Sequence, residues 1–256
     1  MKDLKTYIQI FRDFVSEYRY ENEADQRNID LKLYHTERVL EIAQYLIEHL
    51  KSVIKPELIP LVELSALFHD IGRFEQYRQF KTFADPISVN HALEGVKMLH
   101  KHQILSDLAD WQRRLVYGAV ALHNQKLLPE LPADLALLTK ITRDADKLDI
   151  FEVMLGHLGK GESNDVLTLH LPKHDHQYST HLVDKIMNQE MIDYKEHKFV
   201  NDMFLTAVGW AQQLNYEASL RYFKEKAYHR QIIQYLPQDD KILALQDYMD
   251  HYLEKY

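Results

Sequence analysis

Leu4, Tyr7, Ile8, Phe11, Phe14, Val15 and Tyr18 are separated by three, one, three, three, one and three positions, so a period of 3.6 residues stacks them on one face of a helix. The same spacing returns along the chain. Val39, Ile42, Ala43, Leu46 and Leu50 carry it through the run from Ile29 to Leu50, with Asp30 as the expected cap. A third helix is expected to start at Pro56-Glu57 and to run through LIPLVELSALFHD to a stop at Gly72. SVNHALEGVKMLHKH, LADWQRRLVYGAVALHN and a stretch from about Ala133 to Gly156 follow. HLVDKIMNQEMI, KFVNDMFLTAVGWAQQLN and YEASLRYFKEKAYHRQIIQYL extend the pattern towards the C-terminus. With 7 glycines and 7 prolines in 256 residues, many tight β-turns are excluded. The expectation is an all-α chain, a helical bundle forming a single domain over residues 1–256.

Polar residues occupy the faces that ought to be apolar. Counting back four from Val39 reaches His35, and Leu58, Val62, Ser65 and His69 line up at spacings of four, three and four, with Asp70 next in the chain. His91 shares a face with Gly95 and Met98, His123 with Val116 and Ala119, and Asp146 with Leu135, Leu138 and Thr142. Burying so many imidazoles and carboxylates without partners is costly, and a divalent cation, or a pair, removes the cost. The chain has no cysteine, which excludes disulfides, thiolate zinc sites, iron–sulfur clusters and cysteine nucleophiles together. A metal here must sit on imidazole and carboxylate, ligands suited to Mn, Fe, Ni, Co or Zn.

The order H…HD…H…H…D, carried by YHTERVLEIA, LFHDIGRF, NHALEG, ALHN and RDADKLDI over residues 34–151, resembles the HD-domain superfamily of metal-dependent phosphohydrolases. The resemblance implies an HD metal-binding core at about 29–156, with C-terminal helices at about 180–256 completing the domain. It further implies that His35, His69, Asp70 and Asp146 hold one divalent metal, that Asp70 bridges, and that His91 and His123 complete a second site. The cofactor is then one or two ions among Mn, Fe, Ni, Co, Zn and Mg. Two cations sharing a hydroxide lower the pKa of its parent water and neutralise charge on a phosphoryl group, so no protein nucleophile is needed. The resemblance thus implies a catalytic role for Asp70. Arg73, one turn past it, can fork onto phosphate oxygens, and Lys147 and Arg38 are expected behind the ligands or on substrate. Asp144 and Asp149 also offer carboxylates; the family pattern favours Asp146 as ligand, with Asp149 behind it.

The reaction implied is hydrolysis of a small phosphate ester or nucleotide-type substrate. The net charge of −8 gives no overall attraction to nucleic acid or anionic membranes, so the expected partner is a small phosphorylated molecule. The opening MKDLKTYIQIFRDF mixes charge into its apolar residues and does not read as a signal peptide, which places the protein in a cytoplasm. The oligomeric state is left open. One alternative keeps the ligands and changes the chemistry, to a mixed-valence di-iron oxygenase of the HD fold. Another is a non-catalytic helical module binding a nucleotide or partner, for which the presence of all six ligands is unexpected. GKGESNDVLTLHLPKHDHQYSTH, with His170, His174, His176 and His181, reads as a surface loop or short lid. Gly156, Gly159 and Gly161 do not make a phosphate loop.

Overall fold

The computed structural model describes residues 1–160, 171 and 176–256. Among the described residues every regular element is a helix, as the spacing predicts, and none is long and apolar enough to cross a membrane. The chain divides into two compact units, Met1–Asp149 and Ile150–Tyr256.

In the first unit α1 (Leu4–Ser16) is capped by Asp3, whose carboxylate accepts the Thr6 N–H at 2.8 Å, and it buries Tyr7, Phe11, Phe14 and Val15. Phe11 meets Phe68 and Phe74 edge-on, with ring centres 6.3 and 5.9 Å apart. The second helix, α2 (Glu23–Leu50), begins before Asp30, the expected cap. Asn22 accepts the N–H groups of Ala24 and Asp25, and Glu23 and Asp25 sit in the first turn, where the positive end of the helix favours them. Helix α3 (Ile59–Phe68) buries Leu61, Val62, Leu64, Ser65, Ala66, Leu67 and Phe68, leaves Glu63 to accept from Gln44 at the surface, and packs against α1, α2 and α6 (Asp110–Leu122).

Gly72 does not end a helix; it opens one. Helix α4 (Gly72–Phe80) is separated from α3 by three residues and packs against α5 (His91–Lys101). The glycine is there for backbone proximity: a Cβ at Gly72 would lie 2.1 Å from the His91 carbonyl oxygen and 2.4 Å from the Gly95 nitrogen. Helix α5 starts at His91, with Asn90 accepting the Leu93 N–H at 3.1 Å, and α7 (Ala133–Lys160) brings Asp146 into the first unit.

The second unit holds α8 (Thr180–Met187), α9 (Val200–Trp210), α10 (Glu217–Glu225), α11 (Tyr228–Ile233) and α12 (Asp240–Leu253). The stretch YEASLRYFKEKAYHRQIIQYL, expected as one helix, is broken at Ala227, which adopts φ 50° between α10 and α11. Trp210 packs edge-on to Phe151, which in turn meets Phe223 and Tyr228 at 4.9 and 5.2 Å. His170 and His174 lie outside the described residues, and the lid reading of 159–181 falls mostly there too. His176 and His181 are exposed.

Candidate metal centre

Helix ends create two of the histidine positions. The last turn of a helix leaves carbonyls without partners. His69 follows α3 directly, and its Nδ1–H donates back to the Ala66 carbonyl at 2.7 Å; His123 follows α6 and donates in the same way to Val120 at 2.7 Å. A carbonyl cannot donate, so in both rings Nδ1 carries the hydrogen and Nε2 faces inward. His35, within α2, and His91, the first residue of α5, spend Nδ1 on carboxylates, Asp149 at 2.6 Å and Asp85 at 2.7 Å. All four imidazoles therefore turn Nε2 towards one another.

The inward atoms form two groups. His35, His69 and Asp146 offer ligand atoms that all lie within 4.8 Å of one another, and so do Asp70, His91 and His123; either group could hold a metal ion. Asp146 Oδ1 is 3.1 Å from His35 Nε2 and 3.6 Å from His69 Nε2. Asp70 straddles the pair of groups. Its Oδ1 is 3.3 Å from His91 Nε2 and 3.7 Å from His123 Nε2, while its Oδ2 is 3.6 and 3.7 Å from the Nε2 atoms of His35 and His69.

The donor set fits a cation. Two imidazole nitrogens, His91 Nε2 and His123 Nε2, approach to 3.0 Å, and in the neutral rings both present lone pairs, an arrangement that a positive ion between them relieves. Burial, with Arg73 adding to it, pushes the His91 pKa down to about 3, so this ring is neutral over the physiological range. His35 goes the other way. Burial and Lys32 oppose its charge, but hydrogen bonds to Asp146 and Asp149 outweigh them and raise its pKa. Burial works against the Asp70 carboxylate as well, and Lys32, His69 and Arg73 overcome it, holding the pKa well below the usual range.

An outer layer fixes these side chains. Arg38 grips Asp149 with two bonds, Nε to Oδ1 at 2.6 Å and Nη2 to Oδ2 at 2.9 Å, and Asp149 is fully buried. Asp85 also accepts from Arg73 Nη1 and Gln76 Nε2, each at 2.9 Å. Burial would raise the Asp85 pKa; the His91 hydrogen bond and the Arg73 charge bring it down to about 2. Arg143 Nη1 donates to the carbonyls of His123, at 2.8 Å, and Gln125, holding the end of α6.

Every ligand expected from the sequence lies in this cluster: His35, His69, Asp70, His91, His123 and Asp146. Arg73 stands beside it, with Nε 3.4 Å from Asp70 Oδ1, but its Nη1 is held by Gln76, the Phe83 carbonyl and Asp85. Lys147 is half-buried, and burial, followed by the charge of Arg143, pushes its pKa down to about 8. Sequence reasoning missed Lys32 and Asp85. Lys32 carries a signal, its place three residues before His35 on the same helix face; Asp85 opens a single 3-10 turn, Asp85–Ile87, between α4 and α5 and carries none.

Asp149→Asn is expected to weaken Mn2+ binding by about 10- to 100-fold, because the amide no longer pins the His35 ring as a carboxylate does. Isothermal titration of the two proteins checks this, and equal affinities would remove Asp149 from the account.

The family model of the HD domain matches residues 33–150. A protein of Bacillus subtilis (strain 168) named "Putative phosphohydrolase YueE" is 32% identical over 99 residues, which is 38% of this chain. The match spans 56% of that protein's length. No solved structure matches the chain.

Proposed function

We propose, from the premise that the chain belongs to the HD-domain superfamily through residues 33–150, that it is a metal-dependent phosphohydrolase acting on a small phosphate ester or nucleotide-type molecule. The observation that carries the reading is Asp70, one carboxylate with an oxygen on each of two buried ligand groups. His35, His69 and Asp146 would hold one cation, His91 and His123 the other, and Asp70 both. Such a pair, when bound, supplies an activated hydroxide and charge neutralisation for a phosphoryl group.

The chain's own residues do the rest. Asp149 and Asp85 keep the Nε2 atoms of His35 and His91 aimed inward. Arg73 holds Asp85 in place and puts a guanidinium beside Asp70, where it adds positive charge next to an incoming phosphate. Lys147, next in the chain to Asp146, is assigned to the substrate side of the centre as a further positive charge. A cytoplasmic location, a small phosphorylated partner and one domain over residues 1–256 belong to the same proposal.

The test is metal content of untagged protein by inductively coupled plasma mass spectrometry, with anaerobic turnover of an aryl phosphate ester in Mn2+ or Mg2+. About two metals per chain and hydrolysis without oxygen are expected. Uptake should release a proton and tighten as pH rises, because His35 holds a proton above its ordinary range that the metal must displace. Turnover that requires iron and oxygen would replace hydrolysis with oxygenation, and a chain that takes up no metal and turns over nothing would be a binding module.

A further inference from the structure

Lys32 lies three residues before His35 on α2, and its ammonium donates to Asp70 Oδ2 at 2.8 Å. The side chain is 15% exposed, with Nζ 5.4 Å from the centre of the Phe83 ring, whereas Asp70 is 3% exposed. A carboxylate that deep needs a counter-charge, and Lys32 supplies it on the Oδ2 side. The same oxygen faces His35 and His69, at 3.6 and 3.7 Å. An ammonium and a cation held by His35, His69 and Asp146 would thus draw on one oxygen atom, and the two positive groups oppose each other there.

Arg73, the other cation beside Asp70, has Nη1 fixed by three acceptors. Lys32 is built differently. Its three donors sit on a flexible four-carbon stem and meet one carboxylate, Asp70, where Arg73 Nη1 meets three acceptors. An ammonium relieved of its carboxylate at the rim of such a centre needs another anion, and a phosphoryl oxygen has the charge to replace it.

Building on the metal-site reading above, we propose that Lys32 is a phosphate-binding residue that changes partner: it is the counter-ion of Asp70 in the metal-free protein and passes to a phosphoryl oxygen once Asp70 engages metal. The two roles pull in opposite directions when the ammonium is removed. Lys32→Met should bind Mn2+ about tenfold tighter, because nothing competes for Asp70 Oδ2. The Mn2+-loaded variant should bind inorganic phosphate about tenfold more weakly.

Isothermal titration of Mn2+ into the metal-free proteins, then of inorganic phosphate into the loaded ones, reads both constants. Mn2+ affinity that is unchanged or weaker in Lys32→Met overturns the proposal, and so does unchanged phosphate affinity. Weakening of both, the mark of a merely structural residue, overturns it too. Lys32→Arg keeps the counter-charge and guards against a Met variant that fails to fold; it should retain wild-type Mn2+ affinity and phosphate binding, and loss of phosphate binding there counts against the assignment. A wild-type chain that takes up no Mn2+ would instead sink the metal-site reading itself, before Lys32 is reached.

Discussion

Asp70→Asn should strip metal from both ligand groups and lower phosphate-ester hydrolysis by roughly a thousandfold or more. A metal centre supplies several kcal/mol of transition-state stabilisation, and each step of about 1.4 kcal/mol is a factor of ten in rate. No other residue of the cluster has this reach. His91 and His123 belong to one group and His35, His69 and Asp146 to the other, but Asp70 Oδ1 and Oδ2 are each within 3.7 Å of a different histidine pair. The amide keeps the size of the carboxylate and loses its charge, so circular dichroism should be unchanged while metal content by mass spectrometry falls from about two per chain to below one. A variant that retains both metals would show that Asp70 does not bridge, and the two groups would have to be treated as separate sites.

Gly72→Ala is the second large effect, and it acts through shape alone. The added methyl would sit 2.1 Å from the His91 carbonyl oxygen, 2.4 Å from the Gly95 nitrogen and 3.0 Å from the Glu94 carbonyl carbon, all backbone atoms that cannot rotate away. Helices α4 and α5 must separate. Overpacking of this kind costs about 3 kcal/mol, which for a chain of this size lowers Tm by roughly 6–12 °C. The displacement begins at a residue of the cluster itself. His91 opens α5, so the Asp70, His91 and His123 group should lose its metal while the His35, His69 and Asp146 group keeps its own. Differential scanning calorimetry and metal analysis on one preparation check both parts. An unchanged Tm with full metal content would mean that the helices part without cost, and the glycine would need another explanation.

The helical stripes and the six clustered residues were legible in the sequence because each rests on local spacing. His35 can be placed from Val39 and His69 from Ser65 without knowing what lies opposite. Helix α4 was not legible: Glu75 and Gln76 are buried beside Phe74 and Tyr77, so no apolar stripe marks it, and Gly72 mimics a terminator. The break at Ala227 was hidden for a related reason, since a non-glycine residue at positive φ carries no sequence signature. Partnerships across the fold were hidden as well. That Arg73 would hold Asp85 and Phe83, and that Lys32 would meet Asp70, 38 residues away, depends on how α2 and α4 approach each other. The reading of Asp149 as a residue behind Asp146 agrees with its contacts to His35 and Arg38, because a three-residue step on a helix turns two carboxylates to nearly the same side.

The tethering of all four Nδ1 atoms bears on how such a protein acquires its ion. Ala66, Val120, Asp85 and Asp149 orient the four rings through protein contacts alone, so the imidazole part of the proposed site is preset. A preset cage of imidazole and carboxylate accepts several first-row metals with little to choose between them beyond their general order of affinity. On the proposed reading, the choice of ion would then fall to that general order and to the ions at hand, not to a rearrangement of the imidazoles.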